Sequence, residues 1–405
     1  MNLLLAGMQT ERDTDADRSP LPTALVCTIA AVALAVAMGI GRFAFTPLLP
    51  LMVRDGSLSV GAGGWLAASN YLGYLAGALT AAKLSWSSPA LMRASLVGIV
   101  VTTAAMGMLG NLGAWLVLRC AAGVFSAWTM VAVSAWALPY LARASRSELS
   151  GLIYAGVGLG IAFTGLFCLV AAQPGVPARH LWLGLGLLSA LVVGALSSFV
   201  IRGPAASPQT CSKPLEPSHG NSIGLVVCYG IFGFGYILPA TFLPALARDV
   251  WDNPQVFGLA WPIFGAAAAV STIAVARLSA HANRLRVWAI SHLVMAVGVI
   301  LPSLWLTPAS IVIAALAVGG TFVVVTMLGL QEARAQAPAN PTALLAAMTA
   351  AFAVGQLAGP IVSSALDLLD VGHHVALGYA LQSAALALAA SAAGLWWLAT
   401  TERQT

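Results

Sequence analysis

The sequence predicts an all-α membrane protein, with twelve transmembrane helices arranged as two pseudo-symmetric six-helix bundles. Three observations lead there. Of 405 residues, 60% are hydrophobic and only 8% carry a formal charge, against roughly 25% in soluble domains. Charge-free apolar stretches of about 20 residues recur along the whole length, each long enough to cross the hydrocarbon core of a bilayer. Finally, the second half of the chain repeats the pattern of the first.

This composition excludes an ordinary soluble enzyme, and no nucleophile–base set or metal cluster stands out. The net charge of +5 comes from 18 scattered Lys and Arg without a basic run, which points away from nucleic acid and toward membrane topology. Cys27, Cys120, Cys168, Cys211 and Cys228 stand singly, without the C-x-x-C spacing of zinc or redox sites. No metal or cofactor is expected. The opening MNLLLAG is too short an apolar run for a signal peptide and is followed by the acidic TERDTDAD, so the first residues read as a retained tail.

In chain order, residues 1–21 form a tail. Six spans lie near 22–52, 62–82, 90–110, 113–140, 150–172 and 180–200, giving a first bundle over 22–201. Residues 202–221, rich in Pro, Ser and charge, form the linker. Six further spans near 222–247, 255–277, 286–306, 308–330, 342–366 and 374–399 form the second bundle over 222–399, and 400–405 are a tail. With the N-terminus inside, thirteen basic residues fall on the inner side, three (Arg54, Arg179, Arg248) on the outer, and Arg42 and Arg119 within spans. Because cytoplasmic loops hold the positive charge, both termini are expected in the cytoplasm.

The repeat is specific. LLPLMVRD at the end of the first span recurs as FLPALARD at the end of the seventh, so that Pro50, Arg54 and Asp55 match Pro244, Arg248 and Asp249, each 194 residues on. Trp65 and Trp261, Gly123 and Gly319, and Gly160 and Gly355 follow at 195 or 196. A near-constant shift over four helices indicates parallel duplication of a six-helix unit, as in many secondary transporters.

GIGRFAFTPLLPLMVRD, GGWLAASNYLGYLAGAL, YGIFGFGYILPATFLPALARD and MTAAFAVGQLAGP resemble the YbfB/YjiJ branch of the major facilitator superfamily over nearly the whole chain. The resemblance implies alternating-access transport through a central cavity lined mainly by helices 1, 4, 7 and 10. It also implies a bacterial inner membrane, and it implies no substrate. The loop after helix 2 keeps Gly77, Lys83 and Arg93 of the superfamily's gating motif without its Asp, and helix 4 keeps an Arg-x-x-x-Gly pattern as Arg119 and Gly123. Helix 5 lacks the Gly-Pro pair associated with many drug antiporters.

An ionised side chain near the bilayer centre costs about 2.5 to 3.5 kcal/mol by insertion scales and is retained for a reason. Arg42 is the first such residue; it either contacts substrate or caps carbonyls freed by Pro47. Arg119 is the second, with structural and ligand roles equally open, and together they would suit a carboxylate or phosphate. The acids all fall outside the span centres, with Glu332 and Asp367 nearest, so no membrane carboxylate is evident for proton coupling. His292 reads as a satisfied histidine, and His373 and His374 as outer-loop residues. Tyr236, at the repeat position of Arg42, is expected across one cavity from it, with Tyr71, Tyr154, Tyr229 and Gln356 as further ligand candidates. Trp128 and Trp261 read as packing residues, and the glycines of helices 5 and 11 as close-approach points.

The expectation is therefore a monomeric secondary transporter of a small organic solute, directed to efflux, with protons as a candidate coupling ion. Uptake of a small organic anion through Arg42 is the alternative, and a transporter-like sensor or scaffold without flux a second one.

Overall fold

The computed structural model describes residues 22–401 apart from 82, 85, 174, 201–220, 249, 252–257, 280–281, 338–340 and 368–372. Residues 1–21 and 402–405 of the tails, the linker over 202–220, and Asp249 of the repeat lie outside the described residues, and Thr400 and Thr401 of the expected tail belong to the last helix. Helix α1 runs Thr23–Arg54, with a π-helical stretch at Ala35–Phe43. It is followed by α2 (Val60–Ala81), α3 (Ser88–Met108), α4 (Leu112–Arg143), α5 (Ser150–Ala171) and α6 (Ala178–Val200). The second half comprises α7 (Asn221–Arg248), α8 (Ala260–Leu278), α9 (Arg284–Leu304), α10 (Pro308–Gln336), α11 (Pro341–Asp367) and α12 (His373–Thr401). No strand occurs among the described residues. Eleven of these helices contain a stretch long and apolar enough to cross a membrane; α2, with Asn70, Tyr71 and Tyr74 in its middle, is not among them.

The helix starts follow local chemistry. Asn111 Oδ1 accepts from Ala114 N–H and Asn283 Oδ1 from Arg286 N–H, while Thr307 and Ser310 form a reciprocal capping box with Pro308 in the first turn. Three boundaries differ from the apolar pattern, the first being α8, which begins at Ala260 after a turn at 258–259 and not near 255. Helix α10 extends six residues past its last apolar run because QEARAQ consists of good helix formers. His373 and His374 open α12 instead of lying in a loop.

The duplication is visible in the packing. A Cβ on Gly123 would stand 2.1 Å from the Asn70 carbonyl oxygen, and one on Gly319 2.4 Å from that of Phe264, so α4 meets α2 as α10 meets α8. Likewise Gly160 abuts Ala35 and Gly355 abuts Gly230, joining α5 to α1 and α11 to α7. Between the halves, Gly158 of α5 lies against Gly265 and Ala269 of α8. The matched tryptophans break the symmetry, since Trp261 is buried against Phe264 and Phe43 whereas Trp65 is 71% exposed.

The end of the bundle bearing Lys83, Arg143, Arg277, Arg284 and Arg334 is called the basic end below, and the opposite one the far end. At the far end Asp55 Oδ2 accepts from Ala178 N–H at 2.5 Å, and Arg54 bonds both Asp55 and the Val176 carbonyl. The pair thus caps the start of α6, which explains the Arg-Asp dipeptide of the first half.

Candidate functional site

Three ligand candidates stand at a common depth. Arg42 lies twelve residues before the end of α1 and Tyr236 twelve before the end of α7, while Gln356 lies eleven before the end of α11. At 1.5 Å per residue all are about 17 to 18 Å from the far end, near the bilayer centre. They bond one another across the two halves. Arg42 Nη2 donates to Gln356 Oε1 at 2.5 Å and to the Tyr236 hydroxyl at 3.5 Å, and Gln356 Nε2 donates to the Tyr236 hydroxyl. The guanidinium lies over the Tyr74 ring, 4.0 Å from its centroid, with Tyr71, Phe43 and Phe352 rings within 6.0 Å. Tyr236 is stacked between Phe322 and Phe352 at 5.5 Å on either side.

The electrostatics of this layer are one-sided. Arg42 is 2% exposed, its Nε and Nη1 find no partner among the described residues, and no carboxylate there contacts it. Neutral oxygens and ring faces offset part of the cost of burying a cation. A bidentate anion would supply the rest, since the guanidinium fork matches a carboxylate or phosphate.

Toward the basic end a cavity opens, with Phe43, Tyr74, Tyr229, Tyr236, Phe322 and Phe352 around its blind end and Ala81, Arg334 and Leu345 toward its mouth. Besides α1, α4, α7 and α10, helices α2, α5 and α11 line it. The far side is closed by the Arg42 layer and by Tyr71, whose hydroxyl meets Thr241 Oγ1 at 3.2 Å between α2 and α7.

The other candidates fall elsewhere. Arg119 uses its fork on backbone, Nη1 donating to the Gly41 carbonyl at 3.1 Å and Nη2 to the Arg42 carbonyl at 3.0 Å. These carbonyls belong to the end of the π-helical stretch just before Pro47, where the i→i+4 ladder is broken. Arg119, and not Arg42, therefore caps the carbonyls of this irregular turn. Tyr154 is one layer back, its hydroxyl bonded to Ser134 Oγ at 3.0 Å. Tyr229 lines the cavity and packs on Phe352 and Trp288.

Of the gating candidates, Gly77 and Gly123 seat α2 against α4, since a Cβ on either would strike backbone. Lys83 is exposed and Arg93 half-buried, and neither forms an ion pair among the described residues. His292 accepts from Trp288 Nε1 at its Nε2 (2.8 Å) and reaches Ser391 Oγ through Nδ1 (3.1 Å), so both ring nitrogens are satisfied. Trp128 donates to Thr80 Oγ1 and Trp261 packs, as expected of packing residues. Glu332 is bonded to Arg284 Nε at 2.9 Å at the basic end.

Tyr74, Phe322, Phe352 and Arg334 line the cavity without being among the sequence-based ligand candidates. Tyr74 follows Tyr71 by three residues, one turn along the same face. Phe352 precedes Gln356 by four. Arg334 required recognising that α10 continues beyond its apolar pattern.

The chain belongs to the major facilitator family described as "Uncharacterised MFS-type transporter YbfB", which matches residues 34–394. It is thus a multi-pass membrane transporter that binds a small-molecule substrate, and not an enzyme. No curated protein matches the sequence. Among solved structures, the human organic anion transporter MFSD10 (TETRAN) is similar with a TM-score of 0.67 at 14% identity, over 92% of this chain and 99% of that one. At that identity the likeness concerns the fold.

Proposed function

We propose that this transporter moves a small organic anion with an apolar body by alternating access, and that the direction is export. The carrying observation is Arg42: a buried guanidinium with two nitrogens unpartnered and no acid beside it among the described residues, and with four aromatic rings within 6.0 Å, three of which, Phe43, Tyr74 and Phe352, stand at the blind end of the cavity. The rings suit the apolar body and the fork suits the anionic group. Tyr236 and Gln356, which now share the guanidinium, are the groups an anion would displace or join. That the human neighbour is an organic anion transporter agrees with this reading, which rests on Arg42 and not on the likeness.

Export follows from charge. By the excess of Arg and Lys the basic end and both termini are cytoplasmic, in a bacterial inner membrane, so the cavity loads from the cytoplasm. Among the described residues, the one acid of the spans buried in the bundle is Glu332, already paired with Arg284. An anion leaving an inside-negative cell needs no coupling ion, whereas uptake would.

The test is counterflow in proteoliposomes of labelled aromatic and aliphatic monocarboxylates, each beside its uncharged amide. Saturable flux of at least one acid and of none of the amides is expected. Arg42→Lys should lower that flux more than tenfold despite its retained charge, because an ammonium lacks the planar fork. Equal flux of acids and amides, or an Arg42→Gln protein as active as the parent, overturns the reading.

A further inference from the structure

We infer that Arg334 is an access residue, a cation in the cavity wall that draws an organic anion through the mouth at the basic end before Arg42, just behind the blind end, receives it. This rests on the anion reading of the Arg42 site and adds a residue with a separate task.

Among the described residues, Arg334 is the one charged residue in the cavity wall. It is half-buried, and its one hydrogen bond among the described residues runs from Nη2 to the Ser134 carbonyl at 3.1 Å, which carries the side chain from α10 across to α4. Most of its donors remain for another partner. Glu332, two residues earlier, is committed to Arg284 and Gln336, so the charge of Arg334 is uncompensated among the described residues.

Distance separates the two arginines. Phe322, whose ring stacks on Tyr236 beside Arg42, precedes Arg334 by twelve residues on the same helix. That is about 18 Å along the axis, beyond the span of one small solute. Arg334 is therefore no second contact for an anion already bound at Arg42. The same length exceeds the roughly 8 Å screening distance at physiological ionic strength, so Arg42 at the blind end is poorly felt at the mouth. A cation in the wall, between apolar surfaces that focus its field, raises the local concentration of anions there.

Thiol modification reads this without knowing the substrate. In the full chain with Cys27, Cys120, Cys168, Cys211 and Cys228 replaced by alanine, Ala346→Cys places one thiol on the cavity wall. Its rates with anionic sulfonatoethyl and cationic trimethylammonioethyl methanethiosulfonate are compared at low salt, relative to their ratio on free cysteine. The anionic reagent should be favoured with Arg334 present. Arg334→Gln should lower that preference by about tenfold, the scale of one charge acting within ~10 Å, and Arg334→Lys should restore it because the effect is electrostatic. With an identified anion, Arg334→Gln should raise KM from the basic end while leaving maximal flux near that of the parent. A preference absent from the Arg334 protein itself overturns the proposal whatever the variants do, as does one unchanged in a folded Arg334→Gln. A preference that behaves as expected, in a protein that moves no anion, would instead sink the transport reading and keep the access role.

Discussion

The two span arginines look alike in sequence and differ in what surrounds them. Arg119 satisfies two carbonyls of the π-helical turn, a service any cation with a fork can perform, whereas Arg42 keeps two nitrogens unpartnered among the described residues, against the rings of Phe43, Tyr74 and Phe352 that end the cavity. Hydrogen bonds from charged groups are worth about 1.5 to 3 kcal/mol each, and orphaned buried carbonyls add their desolvation cost. Arg119→Gln should therefore lower thermal stability in detergent by several degrees, while Arg42→Gln leaves the melting temperature within about two degrees or raises it, since it removes an unpaired buried cation. Fluorescence-monitored unfolding checks both. Comparable losses in the two variants would show that Arg42 is also chiefly structural. The sequence left the roles of the pair open because its periodicity does not report that α1 departs from α-helical winding at Ala35–Phe43.

At the level of helices, the duplication is written in glycines whose missing Cβ lets backbones touch. Gly123→Val should abolish folded protein, since the nearest obstacle is the Asn70 carbonyl and not a flexible side chain. Gly194→Ala, where an added Cβ meets nothing within 4 Å, should be neutral or raise stability by up to about 1 kcal/mol. Size-exclusion profiles after identical expression distinguish the two, and a well-folded Gly123→Val would refute the close-packing argument. These glycine pairs, like the meeting of Arg42 with Tyr236, were legible in the sequence because a 194- to 196-residue offset converts one half into a template for the other. Arg334 was not, because hydropathy marks where apolar residues stop and not where the helix stops. The Arg42–Gln356 bond was legible only as two separate candidates, since its partners lie 314 residues apart and outside the repeat relation.

For the whole molecule the consequence is electrical. With an anion bound the core is neutral, whereas the empty carrier holds the positive charge of Arg42, uncompensated among the described residues, between its two halves. One cycle of export thus moves one negative charge outward, which amounts to an inward return of the empty, positive carrier. A potential of 100 mV is worth about 2.3 kcal/mol per charge, enough to sustain a concentration ratio of about fifty. In proteoliposomes oriented with the basic end inside, an inside-negative potassium diffusion potential should accelerate efflux of a monovalent organic anion, and an inside-positive one should retard it, without a pH gradient. Glu332→Gln should leave this response intact, because its carboxylate serves Arg284. Asp367→Asn should also leave substantial flux under an imposed pH gradient, although Asp367 ends α11 and is the second acid to approach the bilayer from within a span. If Asp367→Asn abolishes proton-driven flux while counterflow persists, the carrier is coupled through a carboxylate, and potential-driven export is the wrong mechanism.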